Sequence, residues 1–212
     1  MRAILISVRP QWVEKILNRI KKDEIRKGAA LYKAINKLIE EQGVAPMLIY
    51  CTKGKWGLYD NRKHITSASD VFFIDRLGYD KPPLLNGKVV ARFNATADLL
   101  ELKMIEGGLY FTTPDRDCFT PNLDFNENAQ IDNWQLLRYT GEKLGTQISD
   151  IHINDLEIFD KPKELSDFRT FKTWRVCNGC SKNDTHFLQC EKCDKQHIPL
   201  TKAPQSWCYI EI

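Results

Sequence analysis

No run of about 18 apolar residues occurs in the chain, so no transmembrane helix is expected. The apolar stretch within "MRAILISVRPQW" is far too short for a secretory signal, which makes the cytoplasm the expected location. The triplets beginning at Asn94 and Asn183 then carry no meaning for glycosylation. Charge of one sign is also lacking. A net +3 over 212 residues is only mildly basic, so any argument for a polyanionic partner must rest on where the charges sit. There is no Ser-His-Asp order, no HExxH and no glycine-rich dinucleotide loop, which removes the commonest hydrolase, metalloprotease and nucleotide-cofactor signatures. No internal repeat or low-complexity tract is present.

What is there suffices for one generous core, with 42% apolar and 28% charged residues. "AILISV" (3–8) reads as a buried strand, and Pro10 suits the first turn of a helix. Trp12, Val13, Ile16, Leu17 and Ile20 then paint one helical face. A short strand is expected around Glu24 to Lys27. A second helix follows from Ala29 to Gln42, with Gly43 placed to end it. "MLIYC", "KVVARFNA" and "SWCYIEI" are strands by their apolar content, with Val89, Ala91 and Phe93 sharing one face. "VFFID" (71–75) fits a short strand or one helical turn. "NWQLLRYTGEKLG" is expected to be a helix ending near Gly145, and "IHINDLEIFDKPKEL" a strand broken by Asp160 to Lys163.

The span 107–133 is rich in Asp, Asn, Thr and Pro and is read as a surface loop or insertion. Short strands interleaved with a few helices, without regular βα alternation, point to the α+β class: a single domain over 1–212, built as a small mixed barrel with helices outside it.

Seven cysteines in a reducing compartment should be thiols or metal ligands. Cys177, Cys180, Cys190 and Cys193 are spaced C-x2-C, nine residues, C-x2-C. Each two-residue gap lets one tight turn aim two thiolates at a single point. Two such knuckles complete a tetrahedral S4 set for structural Zn2+, with no open position for catalysis. An iron–sulfur centre and an oxidised pair are the alternatives. The insertion at 174–197 has little core of its own, so zinc would supply its stability. Its lysines, Lys182, Lys192 and Lys195, fit a nucleic-acid contact or a solvated surface. Cys51 and Cys208 fall in strands and read as small buried hydrophobes.

Two polar segments are candidates for binding. Lys53, Lys55 and Trp56 in "TKGKWG" could meet phosphate and stack a base, although the segment lacks phosphate-loop spacing. In the block after Ile20, Lys22, Glu24 and Arg26 share a strand face, with Lys21 and Lys27 beside them. A lysine next to a carboxylate out of water could be tuned for proton transfer; the bland alternative is a salt-bridged rim worth about 0–1 kcal/mol. Physical grounds alone leave both open.

Five segments together, "SVRPQWVEKILNRIKKDEIRK", "MLIYCTKGK", "NGKVVARF", "LEIFDKPKELSDF" and "APQSWCYIEI", resemble the ASCH domain in the form common in bacteriophages and Firmicutes. The resemblance implies a PUA-like β-barrel, in a superfamily of RNA-binding modules and readers of modified bases. It implies a cleft mouth where Lys21 matches the first lysine of the family's "GEKTIEIRK"-like motif and Glu24, Arg26 and Lys27 match its end. Phage members also carry cysteine knuckles before the last strand. One branch hydrolyses the amide of N4-acetylcytidine with a Lys, a Thr three residues later and a distant Glu. Here that Thr position is Glu24, and a carboxylate does not replace a hydroxyl nucleophile. Where the family reads Gly-Glu-Lys-Thr, this chain has Arg19, Ile20, Lys21 and Lys22.

The expectation is therefore a non-catalytic, phage-encoded or prophage-derived module that binds RNA or a nucleotide in a Lys/Glu/Arg-lined cleft. The alternatives are an amidohydrolase on a modified nucleoside using Lys21 and Glu24, a ribonuclease, or a phage factor that binds a host protein in the bacterial cytoplasm.

Overall fold

In the computed structural model of the chain, residues 1–54, 57–60, 71–74, 84–105, 108–112, 123–170 and 199–212 are described. Strand β1 (Arg2–Val8) is buried from Ala3 to Val8, so both of its faces are covered. Helix α1 (Pro10–Leu17) follows with Pro at its start and Val13, Ile16 and Leu17 against the core. The helix ends in a Schellman turn: Arg19 N–H donates to Ile16 O at 2.9 Å and Ile20 N–H to Lys15 O at 2.9 Å. Arg19 holds the left-handed position usually given to glycine (φ 60). That reversal delivers the chain into β2 (Asp23–Lys27). Helix α2 (Ala30–Gln42) ends at left-handed Gly43, as its sequence predicts. It leads into β3 (Pro46–Cys51), buried throughout and parallel to β1. A parallel neighbour needs a crossover, and α1, β2 and α2 supply it.

Strands β4 (Gly57–Asp60) and β5 (Val71–Ile74) form a separate two-stranded sheet, so the "VFFI" of that segment is strand rather than helix. Next come β6 (Val89–Ile105), β7 (Gly108–Thr112), α3 (Leu123–Ala129), α4 (Asn133–Thr140) and β8 (Gln147–Lys163). After a single 3-10 turn come β9 (Arg169–Thr170) and β10 (Trp207–Glu211). The main sheet has eight strands in the order β2-β8-β6-β3-β1-β10-β9, with β7 on β6. This is an α+β architecture. The sheet bends enough that Arg26 Nη2 of β2 donates to Ser7 O of β1 at 2.8 Å, although three strands separate them in the order.

Several sequence expectations need correction. The 107–133 span is not loop throughout, since it contains β7 and α3. Phe125 and Ala129, one helical turn apart, are buried with Ile25, Leu102, Leu136 and Ile148. A single apolar pair was hidden in polar composition. Helix α4 stops at left-handed Gly141 rather than near Gly145, which serves the turn into β8. Strand β8 runs unbroken through Asp160 to Lys163. β2 pairs with its first part, Ile148–His152, and Pro162 lies in the later part, beyond that pairing. Val89 does not share a face with Ala91 and Phe93. A register shift between Val89 and Ala91 turns Val89 onto the far side of the sheet with Leu5 and Tyr50, while Ala91 and Phe93 join the main core. Trp207 and Tyr209 do alternate against Cys208 and Ile210. Cys51 is buried as expected, and Cys208 half-buried. No helix among the described residues is long and apolar enough to cross a membrane.

Candidate functional site

The reversal after α1 places Lys21 where it leaves water almost completely, with 4% exposure. Its Nζ donates to Ala129 O at the end of α3, lies 3.6 Å from Glu24 Oε2, and sits 5.2 Å over the Trp12 ring. Burial lowers the proton affinity of this amine, and the neighbouring Glu24 carboxylate works against that shift. Glu24, 5% exposed, is the hinge of the group. Its second oxygen meets Arg26 Nη2 at 3.0 Å. Arg26 Nε is buried and has no hydrogen-bond partner among the described residues. Such a donor is held ready for an acceptor that the described residues do not supply.

These groups line a cleft of ≈ 640 Å³ between β2, the start of α1 and one side of α4. Arg9 and Trp12 come from the first helix and its approach, and Gln135, Arg138 and Tyr139 from α4. Helix α4 is positioned by a capping box: Asp132 accepts from Gln135 N–H at 2.7 Å, and the Gln135 side chain accepts from Asp132 N–H at 3.3 Å. Four cationic side chains face a single acid among the described lining residues. The cleft is therefore electropositive, with an aromatic ring on each side, a combination suited to an anion carrying a flat group.

Of the residues singled out in the sequence, Lys21, Glu24 and Arg26 are brought together here. Lys22 is exposed and does not line the cleft. Lys27 is spent on structure: its Nζ donates to Thr140 O at 2.9 Å, at the negative end of α4. Lys53 lines a different cavity of ≈ 600 Å³, with Tyr50, Gly87, Glu164 and Lys202. Lys55, Trp56, Cys177, Cys180, Cys190 and Cys193 lie outside the described residues. The contributions of Arg9, Trp12, Arg138 and Tyr139 were missed, because their shared direction is set by tertiary packing and not by spacing. No family model matches the chain, and no curated protein matches it.

Proposed function

We propose that the chain is an ASCH-type module with a PUA-like barrel that binds RNA or a nucleotide in the cleft between β2 and α4. The observation that carries this reading is the lining itself: among the described residues, Arg9, Lys21, Arg26 and Arg138 against the one acid Glu24, with Trp12 and Tyr139 beside them. Cations meet phosphate, an aromatic face stacks a base, and Glu24 accepts from a base amine. The volume falls in the usual range for small-ligand sites, roughly 300–1,000 Å³. The side-chain link from Arg26 to Ser7 O, drawing the β2 edge toward β1, supports the closed sheet of a barrel.

The test is a titration with ribonucleotides and short RNAs at several salt concentrations. Binding should weaken as salt rises, with log affinity falling by roughly 0.7 per phosphate engaged for a single strand. Lys21→Ala, Arg26→Ala and the exposed Arg138→Ala should each weaken it about tenfold. Unchanged affinity in all three variants sinks the proposal.

One observation favours a second reading, hydrolysis of a modified nucleoside: Lys21 is buried with a lowered proton affinity beside Glu24. Turnover of N4-acetylcytidine by the pure protein, lost in Lys21→Ala, would establish it. Its absence leaves binding as the function. The four cysteines are proposed as a structural zinc site on their spacing.

A further inference from the structure

Asp23, Asp98, Asp150 and His152 share the face of the sheet opposite Glu24 and Arg26. The register dictates this arrangement. Asp23 pairs with His152 and Ile25 with Asp150 across β2 and β8, while Asp98 pairs with Asp150 across β6 and β8. Directly opposed residues share a face, as do residues two apart on one strand. Ligand atoms of Asp23, Asp150 and His152 all lie within 4.8 Å of one another. His152 Nδ1 is 2.9 Å from Asp23 Oδ1, and its Nε2 is 3.3 Å from Asp98 Oδ2.

Three carboxyl groups surround one imidazole here. Asp150 is 2% exposed, and its Oδ1 has no hydrogen-bond partner among the described residues. A buried carboxylate oxygen without a described partner, on a residue grouped with Asp23 and His152, calls for an explanation, and a cation supplies one. The nearby Lys21 amine is already held by Ala129 O and Glu24.

We propose that Asp23, Asp150 and His152 form a divalent-cation site, with Asp98 as the outer carboxylate that orients the imidazole. Two adjacent ligands at about 2.1 Å from one ion stand about 3 Å apart, which matches the separation of Asp23 Oδ1 and His152 Nδ1. On binding, Nδ1 releases its proton to solvent and takes the metal, while Nε2–H donates to Asp98. That is the carboxylate–histidine–metal relay common to metal sites. Mixed carboxylate and imidazole donors suit first-row ions from Mn2+ to Zn2+. Half-buried His152 and exposed Asp98 leave a route in from solvent, where water completes the coordination. The site uses none of the ion pairs formed by Glu24 and Arg26, so it stands or falls apart from the nucleotide-binding reading.

The experiment is a Mn2+ titration of the full chain, after removal of loosely held ions with chelator, read by water-proton relaxation. One Mn2+ should bind per chain, and ring signals of His152 should broaden first among the four histidines. Asp150→Asn should weaken binding at least tenfold and Asp98→Asn about tenfold. Cys180→Ser should leave it unchanged, which separates this site from the cysteine set. Absence of saturable binding, broadening confined to the other histidines, or equal affinity in the Asp150 variant overturns the proposal. If Asp150→Asn does not fold, the exposed Asp98→Asn decides by the same criterion.

Discussion

Glu24 holds two cations in a place where water cannot. Lys21 and Glu24 are buried and Arg26 is nearly so, which puts this triad in the regime where one missing partner leaves an uncompensated charge. Glu24→Gln should therefore destabilise the chain by about 3 kcal/mol, measured by urea unfolding. It should also lower the proton affinity of Lys21 further, since Glu24 is the largest influence opposing burial. Adding Lys21→Met to that variant should recover part of the loss, because a buried charge is removed along with its need for a partner. A loss below about 1 kcal/mol would mean that solvent screens the triad as at a surface. The triad was legible in sequence because β2 is a strand and Glu24 and Arg26 are two apart. The same periodicity puts Asp150 and His152 on one face of β8, and that signal went unused. Their partners Asp23 and Asp98 sit on other strands, so only the register joins them.

Elements with a strong period and a clear stop were readable from the chain alone: α1 with its proline start, α2 with Gly43, and the apolar strands β1 and β3. Elements whose limits depend on neighbours were not. β6 and β8, at 17 residues each, extend far beyond their apolar segments because they pair with one another along most of their length. α4 matters most for the site, since it carries Gln135, Arg138 and Tyr139 into the cleft over only eight residues. So short a helix depends on its ends. Asp132→Ala removes the capping acceptor and should cost about 1 kcal/mol. Hydrogen exchange should quicken in the first turn of α4 while the strands keep their protection, and nucleotide affinity should fall severalfold. Unchanged exchange would show that packing of Leu136, not the cap, fixes the helix.

At the scale of the whole molecule, the residues on either side of the cysteine-bearing stretch are fastened to one another. β9 pairs with β10, Arg169 bridges to Pro199, and Leu200 N–H donates to Phe168 O at 2.9 Å. Phe168 and Leu200 are buried together with Ile210 beneath those bonds. The described residues that flank positions 171–198 thus meet at one place on the sheet. Metal held by Cys177, Cys180, Cys190 and Cys193 would order that segment without being needed to assemble the eight strands. Metal analysis should find one zinc per chain at the cysteine set, and no visible absorbance of an iron–sulfur centre. Replacing Cys180 and Cys190 together by Ser should abolish that zinc, whereas Asp150→Asn should not. Far-UV circular dichroism of the sheet should persist after zinc removal. The melting temperature should drop by only a few degrees, since each kcal/mol corresponds to about 2–4 °C in a chain of this size. Cooperative loss of the whole sheet on chelation would show that the fastening at Arg169 and Pro199 depends on the metal. Four freely reactive thiols with no bound zinc would remove zinc from the cysteine set.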